Sequence, residues 1–142
     1  MSKILIVDDD VAIAHLISDA LEDEGFNTAI AFDGISAYNF AQQNAQDIAL
    51  ITLDIMMPEI SGIELCRNIR STVSCPIIFV SAKSNVADKI TGLEFADDYI
   101  SKPFVVEEFV ARVKAHLRRE KRNTAEPEDG IITVGEIELN KG

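Results

Sequence analysis

Polar side chains that could bind a metal and a phosphoryl group lie at the ends of four short apolar runs in this 142-residue sequence: Asp8, Asp9, Asp10, Asp54, Ser81 and Lys102. Carboxylates held a few ångströms apart repel one another, and a divalent cation such as Mg²⁺ relieves the repulsion. A lysine would add positive charge, and a serine hydroxyl could donate a hydrogen bond to an incoming oxygen. These are the groups needed to transfer a phosphoryl group onto a carboxylate.

Each of these residues also has an ordinary role open to it. Asp10 is better explained as the N-cap of a helix, because an aspartate oxygen there accepts a hydrogen bond from a free backbone N–H. Ser81 could lie in a turn, and Lys102 could be a solvated surface lysine. The aspartates, the serine and the lysine lie at the ends of separate apolar runs, in a consistent order along the chain. A shared site explains this arrangement better than coincidence does.

The apolar runs predict five β-strands, at residues 4–7, 27–31, 48–53, 77–80 and 99–100. Three of these runs are continuously apolar, which is typical of parallel strands covered by helices on both faces. Five strands alternating with five helices predict an α/β fold of the flavodoxin-like (βα)5 type, with a parallel five-stranded sheet in the order 2-1-3-4-5. Ligands bind such sheets at the carboxyl ends of the strands, where the polar residues should converge.

Apolar residues at helical spacing predict the five helices. Gly25 is expected to end the first helix, and Ser61 with Glu64 has the capping-box spacing that opens the third, in which Leu65 and Ile69 face inward. The apolar stripe of the first helix is Ile13, Leu16, Ile17, Ala20 and Leu21. The other helices are indicated by Ala37, Phe40 and Ala41, by Val86, Ile90 and Leu93, and by Val106, Phe109, Val110, Val113 and Leu117.

The composition excludes several classes of partner. The formal net charge is −11, which argues against binding to DNA phosphates or to an anionic membrane surface, since both require a basic face. The sequence shows no signal peptide and no apolar run near the roughly 20 residues of a membrane helix, so we expect a cytoplasmic protein without a membrane partner. Cys66 and Cys75 lack zinc-site spacing and should be buried free thiols.

The sequence pattern changes near the carboxyl end. Residues 1–119 form the predicted domain, and residues 120–130 are charged, contain Pro127 and Gly130, and predict a linker. Residues 131–142 alternate apolar and polar side chains, which predicts the start of a further element. A segment this short cannot bury a core of its own. It therefore either packs on the first domain or begins a truncated effector domain. We favour the second. A disordered tail is the remaining alternative.

Four segments resemble the motifs of one protein family: residues 4–10, residues 53–58 with Ser61 and Gly62, residues 79–83 and residues 97–104. In this order and at these separations they are similar to receiver domains of two-component response regulators, over residues 1–119. The last strand and helix look most like the OmpR/PhoB type, in which a winged-helix DNA-binding domain follows the receiver. Residues 131–139 resemble the first strands of that second domain.

The resemblance implies a role for the acidic residues. Asp54 would accept the phosphoryl group from a sensor histidine kinase. Asp9, Asp54 and the backbone carbonyl of Met56 would ligate Mg²⁺ (or Mn²⁺), with Asp8 in support. By the same resemblance, the protein would be a switch and not an enzyme.

The resemblance also implies how the switch works. Lys102, aimed by a cis peptide bond to Pro103, would contact the phosphoryl oxygens. Ser81 would move inward on phosphorylation, and the Tyr99 ring would turn into the vacated space. Lys83 and Met56 would border the site and tune the lifetime of the phosphoryl group.

In this family the fourth helix, fifth strand and fifth helix form a face for a homodimer on phosphorylation. The charged residues that match this face are Lys89, Asp97, Asp98, Glu108 and Arg112, and a solvated surface is the alternative. DNA would be bound only through the C-terminal domain that is mostly absent here. The sequence departs from the family pattern between Phe95 and Ala96, where the glycine that usually ends the fourth helix is missing.

Three other functions remain open on the sequence. A stand-alone phosphorelay receiver would lack an output domain. A phosphohydrolase of the haloacid dehalogenase type would use similar groups, but it needs an acid two residues after the nucleophile, and Met56 cannot transfer protons. A flavin-binding module fits the fold, but no phosphate-binding glycine or hydroxyl-rich loop follows the first strand.

Overall fold

Strands and helices alternate along the chain. The structure is a computed structural model that describes residues 2–57, 59–82 and 96–124, with side chains up to residue 120. The chain divides into two units between Ala111 and Arg112, and the sheet belongs to the first unit. The elements are β1 (Lys3–Val7), α1 (Val11–Asp23), β2 (Thr28–Ala31), α2 (Gly34–Asn44), a 3₁₀ turn (Ala45–Asp47), β3 (Ile48–Leu53), α3 (Gly62–Ile69), β4 (Ile77–Ser81), β5 (Asp98–Ser101) and the Val106–Thr124 helix.

The five strands form one parallel sheet in the order β2-β1-β3-β4-β5, which confirms the predicted flavodoxin-like topology. The register pairs Val7 with Leu53, Leu53 with Phe79, and Phe79 with Tyr99. The residues that follow this row therefore lie at the carboxyl edge of the sheet. That edge includes the β1–β3 boundary, where the strand order reverses and a ligand site is expected.

Apolar side chains bury both faces of the sheet. On one face, α2 and α3 contribute Ala41 and Leu65 to a cluster that includes Leu5, Ile51 and Phe79 from the strands. On the other face, the strand residues that alternate with these are also buried. Helix α1 buries apolar residues that do not belong to the cluster. The continuously apolar runs are therefore explained by burial on both faces, as predicted.

Helix α1 begins and ends where the sequence indicates. The Asp10 carboxylate accepts a hydrogen bond of 3.2 Å from the Ile13 N–H, which confirms its role as the N-cap. Gly25 adopts φ +93°, a left-handed conformation that suits glycine, and its N–H donates to the carbonyl of Glu22. The next residue donates to Leu21, which completes a Schellman motif.

The prediction for Leu16 is wrong. The buried face of α1 consists of Ala14, Ile17, Ser18 and Leu21, whereas Leu16 is 45% exposed. Leu16 lies next to Ile17 in sequence and therefore about 100° around the helix from it. The apolar stripe of α1 is wider than the face of the helix that packs on the core. The sequence alone does not show which edge of such a stripe faces solvent.

Helix α3 begins at the predicted N-cap, Ser61, and has the predicted inward face. The Ser61 hydroxyl accepts a hydrogen bond of 3.2 Å from the Glu64 N–H, and Leu65 is fully buried. Cys66 and Cys75 are buried free thiols, as predicted. Burial raises the pKa of the Cys66 thiol to about 11, so this thiol is neutral at physiological pH.

Several predicted features lie outside the described residues: the fourth helix with Lys89, the neighbouring Lys83, the junction between Phe95 and Ala96, and residues 125–142. The Val106–Thr124 helix extends beyond residue 119, so the first residues of the predicted linker are helical. Within the described part of the chain, no helix is long and apolar enough to cross a membrane.

Candidate functional site

Three aspartates at the ends of β1 and β3 form an acidic cluster. Asp8 directly follows Val7 and is 1% exposed, Asp54 directly follows Leu53 and is 5% exposed, and Asp9 is exposed. The Asp54 N–H donates to the Val7 carbonyl at 3.0 Å, which continues the β1–β3 ladder to Asp54. One carboxylate oxygen from each aspartate lies within 4.8 Å of the others.

Lys102 brings positive charge to this cluster from the end of β5. Its Nζ lies 2.8 Å from Oδ2 of Asp8 and 3.7 Å from Oδ2 of Asp54. Its backbone N–H donates to the Ser81 carbonyl at 2.9 Å, which ties the lysine to the end of β4. The peptide bond between Lys102 and Pro103 is cis. The sheet thus brings together the residues that the sequence suggested would converge.

The Asp54 carboxyl is shifted towards its neutral form. Burial raises its pKa to about 6, although the Lys102 ammonium lowers it. The neighbouring Asp8 charge adds to the rise, and the Met56 N–H opposes it with a hydrogen bond of 3.2 Å to Oδ1. Asp9 raises the pKa further. The raised pKa of Asp54 is therefore due first to burial, which the single Lys102 ammonium does not offset.

The cluster fits a divalent cation that prefers oxygen ligands. Asp8, Asp9 and Asp54 offer three carboxylates at suitable mutual distances, and their uncompensated charge would be neutralised by a cation. Mg²⁺ and Mn²⁺ favour such carboxylate and water ligands. The backbone N–H of Asp10 donates to Oδ1 of Asp8 at 2.9 Å, which orients that carboxylate. Asp10 therefore supports the cluster through its backbone while its side chain caps α1.

The two residues of the expected switch lie on neighbouring strands. Ser81 ends β4 and is fully buried, and it pairs with Ser101 of β5 in the parallel register. Tyr99 is half-buried, and its ring lies edge-on to Phe79 with the ring centroids 6.3 Å apart. The structure thus places these two residues on β4 and β5, the strands that follow β3 in the sheet.

Asp97, which the sequence matched to a dimer face, has partners within its own chain. Its Oδ2 accepts a hydrogen bond of 2.8 Å from Nη2 of Arg70 and another of 2.8 Å from the Ile77 N–H. Nη1 of Arg70 donates to the Cys75 carbonyl at 2.9 Å. These contacts fasten the end of α3 to the beginnings of β4 and β5. Sequence reasoning missed them because no local pattern links residues so far apart in the chain.

Replacing Arg70 by alanine should lower the free energy of unfolding by about 1–2 kcal/mol, because it removes two hydrogen bonds from a charged donor. Urea denaturation of the two proteins measures the difference. Arg118→Ala is the matched control, since Arg118 is exposed and such surface changes stay within about 0.5 kcal/mol. Equal effects of the two substitutions would show that the Arg70–Asp97 contact contributes nothing specific.

Residues 4–114 match the response regulator receiver domain. The chain belongs to this receiver domain family. The match spans the sheet, the acidic cluster and Lys102, so the family resemblance drawn from the four motifs is confirmed. The chain is accordingly a receiver of the response regulators found in two-component systems.

Individual relatives agree with the OmpR/PhoB type. The response regulator ArlR of Staphylococcus saprophyticus is 45% identical over 142 residues, which cover 99% of this chain and 61% of ArlR. The DNA-binding response regulator MtrA of Mycolicibacterium smegmatis is 40% identical over 139 residues, which cover 97% of this chain and 58% of MtrA. The chain thus spans less than two-thirds of the length of these relatives.

A solved structure supports the same assignment. The response regulator DrrB of Thermotoga maritima, described as an OmpR/PhoB homologue, superimposes with a TM-score of 0.74 and 34% identity. The match covers 84% of this chain and 54% of DrrB. The resemblance to OmpR/PhoB-type regulators is therefore confirmed for the receiver, which is the part of the relatives that this chain matches.

Proposed function

We propose that Asp54 of this receiver accepts a phosphoryl group from the phosphohistidine of a sensor histidine kinase. The supporting observation is the placement of Lys102, whose Nζ lies 2.8 Å from Asp8 but 3.7 Å from Asp54. Asp8 has the closer ionic partner, so Asp54 is the buried carboxylate whose charge is less well compensated. A carboxylate that is buried, poorly paired and held at a strand end is suited to act as a nucleophile.

The transfer forms one bond and breaks another. A carboxylate oxygen of Asp54 bonds to phosphorus while the P–N bond of phosphohistidine breaks, and the imidazole nitrogen keeps the electron pair of that bond. The Met56 N–H holds Oδ1 of Asp54 in place during the attack. The Lys102 ammonium is close enough to attract the phosphoryl oxygens, and the Ser81 hydroxyl at the end of β4 supplies a hydrogen-bond donor.

Asp9, Asp54 and the backbone carbonyl of Met56 would hold Mg²⁺ (or Mn²⁺), with Asp8 in support. The metal would supply positive charge that offsets the repulsion between an anionic phosphoryl group and the acidic cluster. The hydrogen bond from the Asp10 N–H to Asp8 keeps that carboxylate turned towards the cluster before any metal arrives.

Phosphorylation then acts through Ser81 and Tyr99. The new phosphoryl oxygens attract the Ser81 hydroxyl, which leaves space for the Tyr99 ring to turn inward. This shift favours a second conformation of the surface around β5, and any partner that binds this conformation more tightly is thereby recruited.

The output of the switch is homodimerisation and transcription control by the longer regulator. Of the residues matched to the dimer face, Asp98 and Arg112 are half-buried, Glu108 is exposed, and Lys89 lies outside the described residues. Both hydrogen bonds of Asp97 end on Oδ2 and its side chain is 44% exposed, so a second copy could contact Asp97 while Arg70 stays bound. DNA would be reached only through a C-terminal domain like that of the longer relatives, in the cytoplasm and without a membrane partner.

The same site argues for a switch instead of a phosphohydrolase with many turnovers. The residue two positions after Asp54 is Met56, which is 54% exposed and has no ionisable group. A phosphohydrolase would need an acid there to protonate the leaving group. The second alternative, a stand-alone phosphorelay receiver, would retain Asp54 chemistry without an effector domain.

Beryllofluoride, which imitates a phosphoryl group on a carboxylate, tests the acceptor and the dimer together. In the presence of Mg²⁺, we expect the wild-type protein to bind one beryllofluoride and to increase its solution mass from monomer towards dimer. Asp54→Asn should do neither, because the amide does not coordinate beryllium. Binding of beryllofluoride to Asp54→Asn as tightly as to wild type would refute the assignment of Asp54. Binding without a change in mass would refute only the dimer.

A further inference from the structure

The described residues between Asp54 and α3, 55–57 and 59–61, which we call the acceptor loop, are fastened to Asp54 by backbone hydrogen bonds. The Met56 N–H donates to Oδ1 of Asp54 at 3.2 Å. The Ile55 carbonyl accepts hydrogen bonds from the N–H of Met57 at 3.2 Å and from that of Gly62 at 2.9 Å. A continuous set of hydrogen bonds therefore connects the acceptor carboxylate to the first residue of α3.

Gly62 lies where no side chain fits. A Cβ added to Gly62 would overlap the carbonyl oxygen of Asp54 and would lie 2.7 Å from Cα of Ile55. Both are backbone atoms, so relief would require the end of β3 or the beginning of α3 to move. The absence of a side chain at Gly62 thus lets α3 begin directly against the peptide group of the acceptor.

Gly34, the first residue of α2, borders the acceptor loop from another side. A Cβ added to Gly34 would overlap Cγ2 of Ile60. Ile60 is half-buried and packs against the core cluster, and its branched side chain has few alternative rotamers. A methyl group at Gly34 would therefore displace the acceptor loop through Ile60, without touching Asp54.

We propose that Gly34 and Gly62 are positioning residues for the acceptor site. Their missing side chains allow the acceptor loop to pack between α2, α3 and the end of β3, so that the Met56 backbone reaches Asp54. The proposal rests on the proposed function of Asp54. Alanine is the better helix former, and a Gly→Ala change early in a helix would ordinarily be neutral or stabilising. The close contacts predict the opposite result here.

The first test is Gly62→Ala. We expect its affinity for Mg²⁺ to fall about tenfold or more, as metal sites respond to loss of a supporting contact. In the metal-free protein, hydrogen exchange at the amide of Met56 should accelerate, because the hydrogen bond to Asp54 is broken. Gly25→Ala is the matched control: its Cβ meets nothing within 4 Å, but its φ of +93° strains alanine. It should lower stability and leave Mg²⁺ affinity unchanged.

The second test uses compensation between Gly34 and Ile60. Gly34→Ala should weaken Mg²⁺ binding by a smaller factor, on the order of threefold, since it acts only through the loop. Adding Ile60→Ala removes Cγ2 and should restore both the affinity and the slow exchange at Met56. Adding Ile60→Val keeps Cγ2 and should restore neither. This pair of double variants separates positioning of the site from a general loss of stability.

The outcomes distinguish this inference from the proposed function. If wild type binds neither Mg²⁺ nor beryllofluoride, the function assigned to Asp54 fails. If wild type binds both and Gly62→Ala binds them equally well, the positioning role is refuted. If Gly62→Ala does not fold, the Gly34 variants decide: equal Mg²⁺ affinities of the Ile60→Ala and Ile60→Val double variants would overturn the inference.

Discussion

Lys102→Met is expected to lower the free energy of unfolding of the metal-free protein by about 3 kcal/mol or more at neutral pH, because breaking a buried ion pair leaves uncompensated charge. Asp8 and Asp54 have side chains that are 2% and 6% exposed, and Lys102 forms ion pairs with both. Chemical denaturation in the presence of a chelator measures the loss.

Mg²⁺ should reverse much of this loss. A divalent cation bound by the acidic cluster neutralises the charge that Lys102 no longer neutralises, so the gap between variant and wild type should narrow as Mg²⁺ is added. Lys3→Met is the control, because Lys3 is exposed and its substitution should change stability by no more than about 0.5 kcal/mol, with or without Mg²⁺. A Lys102→Met protein as stable as Lys3→Met in chelator would contradict the described electrostatics.

Asp54→Asn is expected to stabilise the metal-free protein at neutral pH, although the proposed function predicts that it prevents phosphoryl transfer. Folding raises the pKa of Asp54 from 3.8 to about 6, so the folded state favours the neutral carboxyl. The stability contributed by this group is complete below pH 3.8 and is lost as the pH rises through 6. At neutral pH the ionised carboxylate therefore opposes folding by up to about 3 kcal/mol, and an uncharged amide of similar shape should not.

The pH dependence provides the check on this prediction. In chelator, the difference in free energy of unfolding between Asp54→Asn and wild type should grow between pH 3.8 and about 6 and then level off. Mg²⁺ should stabilise wild type more than Asp54→Asn, because the variant lacks one carboxylate ligand. A difference that stays constant over this pH range would show that the Asp54 carboxyl is not perturbed by its surroundings.

Much of the site could be predicted from the sequence because its residues lie at the carboxyl ends of β-strands. A continuously apolar run fixes a parallel strand buried on both faces, and the residue after it must then lie at the carboxyl edge. This rule and the strand order were enough to predict that Asp8 and Asp54 lie close together. To place Lys102 and Ser81 at the same edge, we also had to predict that β4 and β5 continue the same sheet, which the topology confirms.

The remaining features depend on contacts that no local pattern contains. The pairing of Arg70 with Asp97 joins the C-cap of α3 to the residue before β5, 27 residues further along the chain. Whether Leu16 is buried depends on how much of the circumference of α1 packs on the core. Gly62 was recognised as part of a motif, but its close approach to the Asp54 carbonyl appears only when α3 is placed against the end of β3.

The location of the phosphoryl group is the most direct test of the function assigned to Asp54. The protein is incubated with Mg²⁺ and acetyl phosphate, then treated with borohydride, which reduces an aspartyl phosphate to homoserine. Fragmentation mass spectrometry of the digested chain then locates the reduced residue. The proposed function predicts homoserine at Asp54 alone and none in Asp54→Asn. Homoserine at Asp8 or Asp9 of the wild-type protein, or undiminished modification of Asp54→Asn, would contradict it.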